Sequence, residues 1–499
     1  MIRKLLIANR GEIAVRIIRT AREMGIRTVA VYSDADADSN HVRFADEAVA
    51  IGASEPSASY LNIRRILEAA KQVEADAIHP GYGFLSERAE FSLACRDVGL
   101  TFVGPPPEAM RRLGAKIEAK QLAVQANVPI TPGYFELGAT DERLKQAAQK
   151  IGFPIMLKAS AGGGVRGMRT VTDEAHFEDE LLLAREEALR SFGDGAMLVE
   201  KLVDKPRHIE VQFLADNHGN VACLFERECS IQRRHQKLIE ESPSPVLLKS
   251  PELWEPLRDA VTNLVLLSGY VGAGTAEFIY DQADRAFYFL EVNARLQVEH
   301  PVTEAITGVD LVEWQLRIAS DERLMLNPDL MAGSRSAMVG HALETRIIAE
   351  DPSQGFLPSI GKVLGWAEAN GIGIRVDTGF SEGSEVSSYY DSLLAKLIVH
   401  AESRDRAIAK MKSALMDFHV LGVKTNIGYA LDILQNSAFA SGEFDTGFVS
   451  REMSHWTNSG ILPPELADLC DNAGQGPIES RPLPPLVGAW SAADGFRLH

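Results

Sequence analysis

Between Tyr288 and Pro301 the chain reads Tyr-Phe-Leu-Glu-Val-Asn-Ala-Arg-Leu-Gln-Val-Glu-His-Pro, with polar and apolar residues alternating from Glu291 onward. Glu291, Asn293, Arg295, Gln297 and Glu299 take the odd positions, and Val292, Ala294, Leu296 and Val298 the even ones. In extended backbone that period gathers the polar groups on one face. Upstream, Ala276 to Ile279 is a second strand-like run, and Asp281 to Arg285 reads as the turn between them. A hairpin folded about Asp284 sets Glu277 opposite Glu291. Facing like charges destabilise a sheet, so the pair makes sense with a hard divalent cation between the carboxylates. Mg2+ takes few protein carboxylates and completes its shell with water and phosphate oxygens. The hairpin therefore points to a Mg-nucleotide site, with Arg295, Gln297 and Glu299 aimed at something beside the phosphates. The plainer reading is a half-buried strand with a solvated face, and one bulge would separate the two glutamates.

At 499 residues the chain can hold two to four domains with buried cores. Its formal charge of -18 argues against nucleic acid or an acidic membrane surface as a general partner. The four cysteines show no CxxC spacing and read as reduced thiols. No apolar run reaches the length of a membrane helix, which takes about 20 residues. The expected location is the cytoplasm.

Residues 1 to 113 alternate strand and helix signals, as in Lys4 to Ala8, Ile13 to Met24 and Thr28 to Tyr32, and predict a parallel sheet. His79 to Glu87 is a turn-rich loop after a strand, where α/β sheets bind ligands; a plain connection is the alternative. From about 130 to 203 lies a smaller unit in which strands Pro154 to Lys158 and Gly167 to Val171 flank a glycine-rich stretch. Gly162, Gly164 and Gly167 satisfy GxGxxG, but a strand follows instead of a helix, which excludes a Rossmann turn. A flap whose backbone N–H groups cover phosphates fits better, with Lys158 able to reach a phosphate; a flexible surface hairpin is the bland reading. Glu226 to Lys237 gathers Arg227, Arg233, Arg234, His235 and Lys237, which suits an anionic substrate or else a solvated charge run. Lys116 and His208 gain no role from spacing alone.

Taken together, Leu6 to Ala14, His79 to Glu87, the lid glycines, Glu226 to Lys237, Glu291 to Thr303 and Tyr390-Asp-Ser392 resemble the biotin carboxylases, the ATP-grasp component of biotin-dependent carboxylases. The resemblance covers about residues 1 to 450. It implies an α/β and α+β multidomain chain: an N-terminal parallel α/β domain at 1–113, an ATP-grasp domain at 114–330 with a mobile lid at about 131–203, and a C-terminal biotin carboxylase domain at 331–450. It also implies that ATP and bicarbonate give carboxyphosphate, then CO2, captured by N1′ of biotin.

Carried over residue by residue, Glu277 and Glu291 would hold Mg2+ (or Mn2+), with Asn293 helping. Lys116, Lys158, Gly163, Gly164, Glu200, Lys201, His208, Gln232 and His235 would bind ATP. Lys237, Arg295, Gln297 and Val298 would bind bicarbonate, and Glu299 would deprotonate it. Arg346 would stabilise the enolate-like biotin oxygen, with Tyr82 and Gly83 flanking the ring. The implied partners are a biotin carboxyl carrier domain or protein, a carboxyltransferase subunit and a second copy in a homodimer.

One position departs from the family's lid: Val165 stands where an unbroken glycine run is expected. If that position needs positive φ, a β-branched residue impairs closure over ATP; at negative φ valine is tolerated. From 451 onward, Pro-rich segments and Ala489-Trp-Ser-Ala-Ala-Asp-Gly-Phe-Arg497 are similar to a linker and the start of the connecting domain in acyl-CoA carboxylase α subunits, as if the chain were cut there. Two other readings share the motifs: a different ATP-grasp ligase forming an acyl phosphate, and a nucleotide-binding scaffold with little catalysis.

Overall fold

A computed structural model describes residues 2–136, 138–160 and 167–457. Gly163, Gly164, Val165 and the tail from 458 onward lie outside the described residues. Met1–Trp456 forms one compact unit.

The first strands, β1 (Lys4–Ile7), β2 (Arg27–Ser33), β3 (Glu47–Gly52), β4 (Ala77–His79) and β5 (Thr101–Phe102), make a parallel sheet in the order β3-β2-β1-β4-β5. Leu5, Leu6, Ile7, Val29 and Val31 are fully buried, as in a sheet covered on both faces. The helix Gly11–Glu23 follows β1 and packs Ile13, Ile17 and Ile18 inward. Asn9 joins this first turn to the loop after β4, donating from Nδ2 to the carbonyls of Pro80 and Tyr82 at 2.7 Å each. Gly81, at φ +63, sits so close that a Cβ there would meet Asn9 Nδ2 at 2.9 Å. Glycine is the residue that fits such an approach.

The smaller unit predicted from about 130 is a four-stranded sheet, β6 (Gly133–Tyr134), β7 (Ile155–Ala159), β8 (Met168–Val171) and β9 (Met197–Lys201), ordered β6-β9-β7-β8. It has its own core of Leu144, Ile155, Leu157, Phe177 and Val199.

Among the described residues, the largest sheet has eight strands. Its order is β14 (Ala286–Asn293), β13 (Gly272–Asp281), β10 (Arg207–Ala215), β11 (Val221–Arg233), β12 (Gln236–Ser242), β15 (His341–Ile348), then Leu393–Ala401 and Ile374–Thr378. It therefore draws strands from both sides of residue 330, with β12 hydrogen-bonded to β15. Separate cores lie against its two ends: Phe213, Phe278 and Trp254 toward the first, Leu343, Leu397 and Phe418 toward the second.

Two sequence expectations need correction. The alternation from Glu291 to Glu299 is not one strand, because β14 ends at Asn293 and the helix His300–Thr307 begins at once after a short loop. Pro301 in that helix's first turn cannot supply a ladder hydrogen bond, whereas the first helical turn needs no such donor. Nor is Glu226 to Lys237 a basic patch. Arg227 is buried among Glu210, Gln212, Thr275 and Thr303, while Arg233 pairs with Glu350 at 2.7 Å. Two register shifts in the β11–β12 ladder lie between Arg227 and Arg233, so the assembled sheet gives these two cations different acceptors.

Candidate active site

Glu277 and Glu291 are in register across β13 and β14. The route to that register differs from a plain hairpin. Toward the turn the pairs are Phe278 with Phe289 and Asp281 with Ala286, a ladder centred between residues 283 and 284. A one-residue shift between Glu277 and Phe278 then brings Glu291 opposite Glu277. Bulges of this kind re-aim side chains next to active sites; here it unites the carboxylates that an unbroken ladder would separate.

Both carboxylates are enclosed, and their proton affinities move apart. Burial would raise Glu277, but Lys237 and His208 hold it well below the usual carboxylate range. Glu291 is raised by burial and by Glu277, with Lys116 easing it. His208 Nε2 stands 3.1 Å from Glu277 Oε2, and this partner, against burial, raises its proton affinity. Asn293 Oδ1 accepts from Arg295 Nη2 at 3.0 Å, while its buried Nδ2 has no partner among the described residues. The facing carboxylates of Glu277 and Glu291, the second raised by its neighbour in spite of Lys116, suit a hard cation such as Mg2+.

The centre of the site is Lys237 at the start of β12. Its Nζ donates to Glu210 Oε2 at 2.6 Å, Glu277 Oε1 at 2.9 Å and Glu299 Oε1 at 2.6 Å. Burial works against an ammonium here, yet these three carboxylates raise its proton affinity well above the ordinary lysine value. Glu299 is itself fully buried. Despite that burial, Lys237, Arg346 and Arg227 keep it well below the usual range and hence ionised. Arg346, on β15, donates from Nη2 to Glu299 Oε2 at 3.0 Å and from Nε to Glu240 Oε1 at 2.7 Å.

The short loop after β14 folds its polar side chains back onto this cluster. Gln297 donates to Glu277 Oε1 at 3.0 Å and accepts from Arg295 Nη1 at 2.8 Å. Glu87, from the loop after β4, holds Arg295 Nε at 3.2 Å and accepts from the backbone N–H of Ala294 at 3.1 Å. The same loop supplies Tyr82, whose hydroxyl donates to Glu12, and Gly83 at φ +66.

The expected nucleotide residues lie on neighbouring elements. Lys116 opens the helix Lys116–Gln125, and its Nζ donates to the Ala159 carbonyl at 3.3 Å. Lys158 on β7 pairs with Glu200 on β9 at 2.7 Å, and Lys120 reaches the other oxygen of Glu200 at 2.5 Å. Gln232 is buried in register opposite Lys237. His235 sits at the tip of the β11–β12 hairpin, where Arg234 and His235 both have positive φ, 48° and 64°. Non-glycine residues held there store strain, a device common at functional sites. Lys201, by contrast, is exposed at the end of β9.

Reading the sequence missed Glu210, Glu240, Glu87 and Glu12. Glu210 was within reach, because it alternates with His208 along β10 and so shares its face. The others are brought in by pairings between distant segments.

Family models match almost the whole described chain: "Biotin carboxylase, N-terminal domain" over residues 1–110, "Carbamoyl-phosphate synthase L chain, ATP binding domain" over 115–327, and "Biotin carboxylase C-terminal domain" over 344–451. Biotin carboxylase 1 of Bacillus subtilis is 47% identical over 449 residues, spanning 90% of this chain and 98% of that protein. The chain belongs to the biotin carboxylase family. Within this family, a biotin carboxylase domain dimer of Hydrogenobacter thermophilus 2-oxoglutarate carboxylase, in complex with MgADP, ADP and bicarbonate, superposes with a TM-score of 0.86 at 45% identity, covering 91% of this chain and 98% of that one. The biotin carboxylase of Campylobacter jejuni, in a β,γ-ATP complex, does so with a TM-score of 0.86 at 44% identity, covering 90% and 99%. The mitochondrial methylcrotonoyl-CoA carboxylase α subunit of Rattus norvegicus is 48% identical over 449 residues, 90% of this chain, which spans only 62% of that subunit. Among the described residues, no helix is long and apolar enough to cross a membrane.

Proposed function

We propose that this biotin carboxylase family member uses ATP and bicarbonate to carboxylate N1′ of biotin through carboxyphosphate, the first half-reaction of a biotin-dependent carboxylase. The observation that carries the reading is Glu299: an ionised, fully buried carboxylate clasped by Lys237 and Arg346, beside the paired Glu277 and Glu291. A nucleotide scaffold has no need of a base held in this way.

Glu299 is the general base for bicarbonate. Its affinity for a proton is low while Lys237 and Arg346 both bond to it. A bicarbonate drawn to Lys237, Arg295 and Gln297 shares those cations and lets Glu299 become more basic once the acid proton lies within about 3 Å. Lys237 and Arg295 also take up charge on the oxyanion as its oxygen attacks the γ-phosphorus. Glu277 and Glu291, with Asn293, would hold Mg2+, which supplies charge neutralisation at the phosphates. Lys116, Lys158 and His208 face the nucleotide, Glu200 keeps Lys158 in place, and Gln232, His235 and Lys201 complete the ATP set. Arg346 meets the ureido oxygen of biotin as it turns negative, when N1′ gives its proton to the phosphate that carboxyphosphate releases with CO2 and then attacks that CO2; a fixed cation lowers that barrier without reorganisation. Tyr82 and Gly83 flank the ring.

The biotin would arrive on a carrier domain or protein, and the carboxyl group would leave through a carboxyltransferase partner, with the working unit a homodimer in the cytoplasm. The relatives named above differ in their acceptors, so this site leaves the acceptor to the partner. The test is ATP hydrolysis with Mg2+ and bicarbonate, with and without free biotin. Bicarbonate-dependent turnover that rises with biotin, and is lost in Glu299→Gln, supports the reading. ATP turnover indifferent to bicarbonate overturns it in favour of another ATP-grasp ligase.

A further inference from the structure

Lys396 lies on the strand Leu393–Ala401, in register with Arg346 on β15, and its side chain is fully buried. Two cations facing each other inside a sheet need anions around them. Arg346 has Glu240 and Glu299; the partners of Lys396 belong to other segments. Its Nζ donates to the Val298 carbonyl at 2.9 Å and stands 3.3 Å from Glu12 Oε1 and 3.9 Å from Asp377 Oδ2. Glu12 is the acceptor for the Tyr82 hydroxyl, and its second carboxylate oxygen is buried with no partner among the described residues. One ammonium thus touches the loop that ends in Glu299 and the carboxylate that holds Tyr82.

The loop is fixed at the preceding peptide as well. His300 Nδ1 donates to the Gln297 carbonyl at 2.7 Å. Burial, with Lys396 and Arg16 nearby, keeps that imidazole neutral. A trans peptide points its N–H opposite its C=O, so the N–H of Val298 is turned away from His300. The aliphatic side chain of Val298 has no group for an oxyanion, and this backbone N–H is what it can offer bicarbonate.

We propose that Lys396 is a positioning residue for both small substrates: it sets the Val298–Glu299 segment for bicarbonate directly, and Tyr82 for biotin through Glu12. This rests on the biotin carboxylase reading. It goes beyond it by assigning a joint role to a residue on the far strand, outside both loops. A lysine present only to fill the core would move no substrate constant selectively.

The experiment compares the full-length protein with Lys396→Met, Glu12→Gln and Tyr82→Phe in biotin-dependent ATP hydrolysis, varying bicarbonate, biotin and ATP in turn. Lys396→Met should raise KM for both bicarbonate and biotin by about tenfold or more, with KM for ATP within about twofold, since small misplacements at a reacting site cost this much or more. Glu12→Gln should raise KM for biotin alone, and adding Tyr82→Phe to it should have little further effect, because both remove one contact. Equal changes in all three constants in Lys396→Met, or none, overturn the proposal. Should Lys396→Met fail to fold, an unchanged biotin KM in Glu12→Gln overturns it equally. A wild-type protein without bicarbonate-dependent turnover removes the functional reading and this inference together; an active wild type without the split removes the inference alone.

Discussion

Glu200 offers a quantitative test of how the nucleotide side is held together. Its carboxylate is 2% exposed and has one ammonium beside each oxygen, Lys158 at 2.7 Å and Lys120 at 2.5 Å. Burial would raise its proton affinity, but the two lysines push it from 4.5 down to about 2. At about 1.4 kcal/mol per tenfold in proton affinity, that difference is worth about 3 kcal/mol. Burial lowers Lys120's own proton affinity in spite of Glu200, which takes back part of the gain. For a carboxylate depressed on folding, the contribution is complete above about 4.5 and is lost as pH falls toward about 2. Glu200→Gln should therefore weaken the β7–β9 sheet at pH 7 by about 3 kcal/mol, within the range of about 3 to 5 kcal/mol for breaking a buried pair. Amide hydrogen exchange reads this directly, because local opening free energies set the rates. Exchange along β9 should speed up on the order of a hundredfold at pH 7, with the eight-stranded sheet unaffected. Since an anionic nucleotide can take the carboxylate's place between the lysines, ATP should slow exchange in the variant more than in the wild type. Rates within about twofold of wild type at pH 7 would refute the reasoning.

Arg346→Ala should reduce biotin-stimulated turnover by about a hundredfold or more, while ATP binding, followed by calorimetry, stays close to wild type. Glu291→Gln should raise the Mg2+ concentration needed for half-maximal ATP turnover about tenfold; an unchanged titration removes Glu291 from the metal site. Glu241, fully buried between Arg404 and His341, is also pushed down to about 2, against burial. Glu241→Gln should lower the apparent thermal transition at pH 7 by several degrees, with the gap narrowing as pH falls below about 4.5; a pH-independent gap contradicts the ion-pair account.

What could be read from the sequence was whatever depends on neighbours along the chain. The facing of Glu277 and Glu291 follows from two short strands and a turn, although the ladder reaches it through a bulge that alternation does not reveal. The helix over Ile13 to Met24, the loop after β4 and the strands flanking the lid glycines were legible for the same reason. Reading Arg295, Gln297 and Glu299 as one strand face failed, yet their convergence survived, because the loop folds back on Asn293 and Glu277. Lys396, Glu12 and Glu240 were beyond reach. Lys396 meets Val298 about a hundred residues away and Glu12 nearly four hundred, contacts that only the assembled sheets create. The basic run before β12 misled because charge counting ignores the buried carboxylates, Glu210 and Glu350, that other strands bring to these cations.

The continuity of the eight-stranded sheet has a consequence for the chain as a polymer. Because β12 bonds β15 along Ile239 to Ser242, the residues before 330 and those after it close each other's open edge. Expressed alone, either part would present an unpaired strand with its ladder groups bare, and such edges recruit other chains. Two fragments divided in the loop between Met331 and Gly340 should each aggregate when made singly. Produced together, they should reassemble by strand addition, with the halves of the Lys237–Glu299–Arg346 cluster returning to one another across the restored seam.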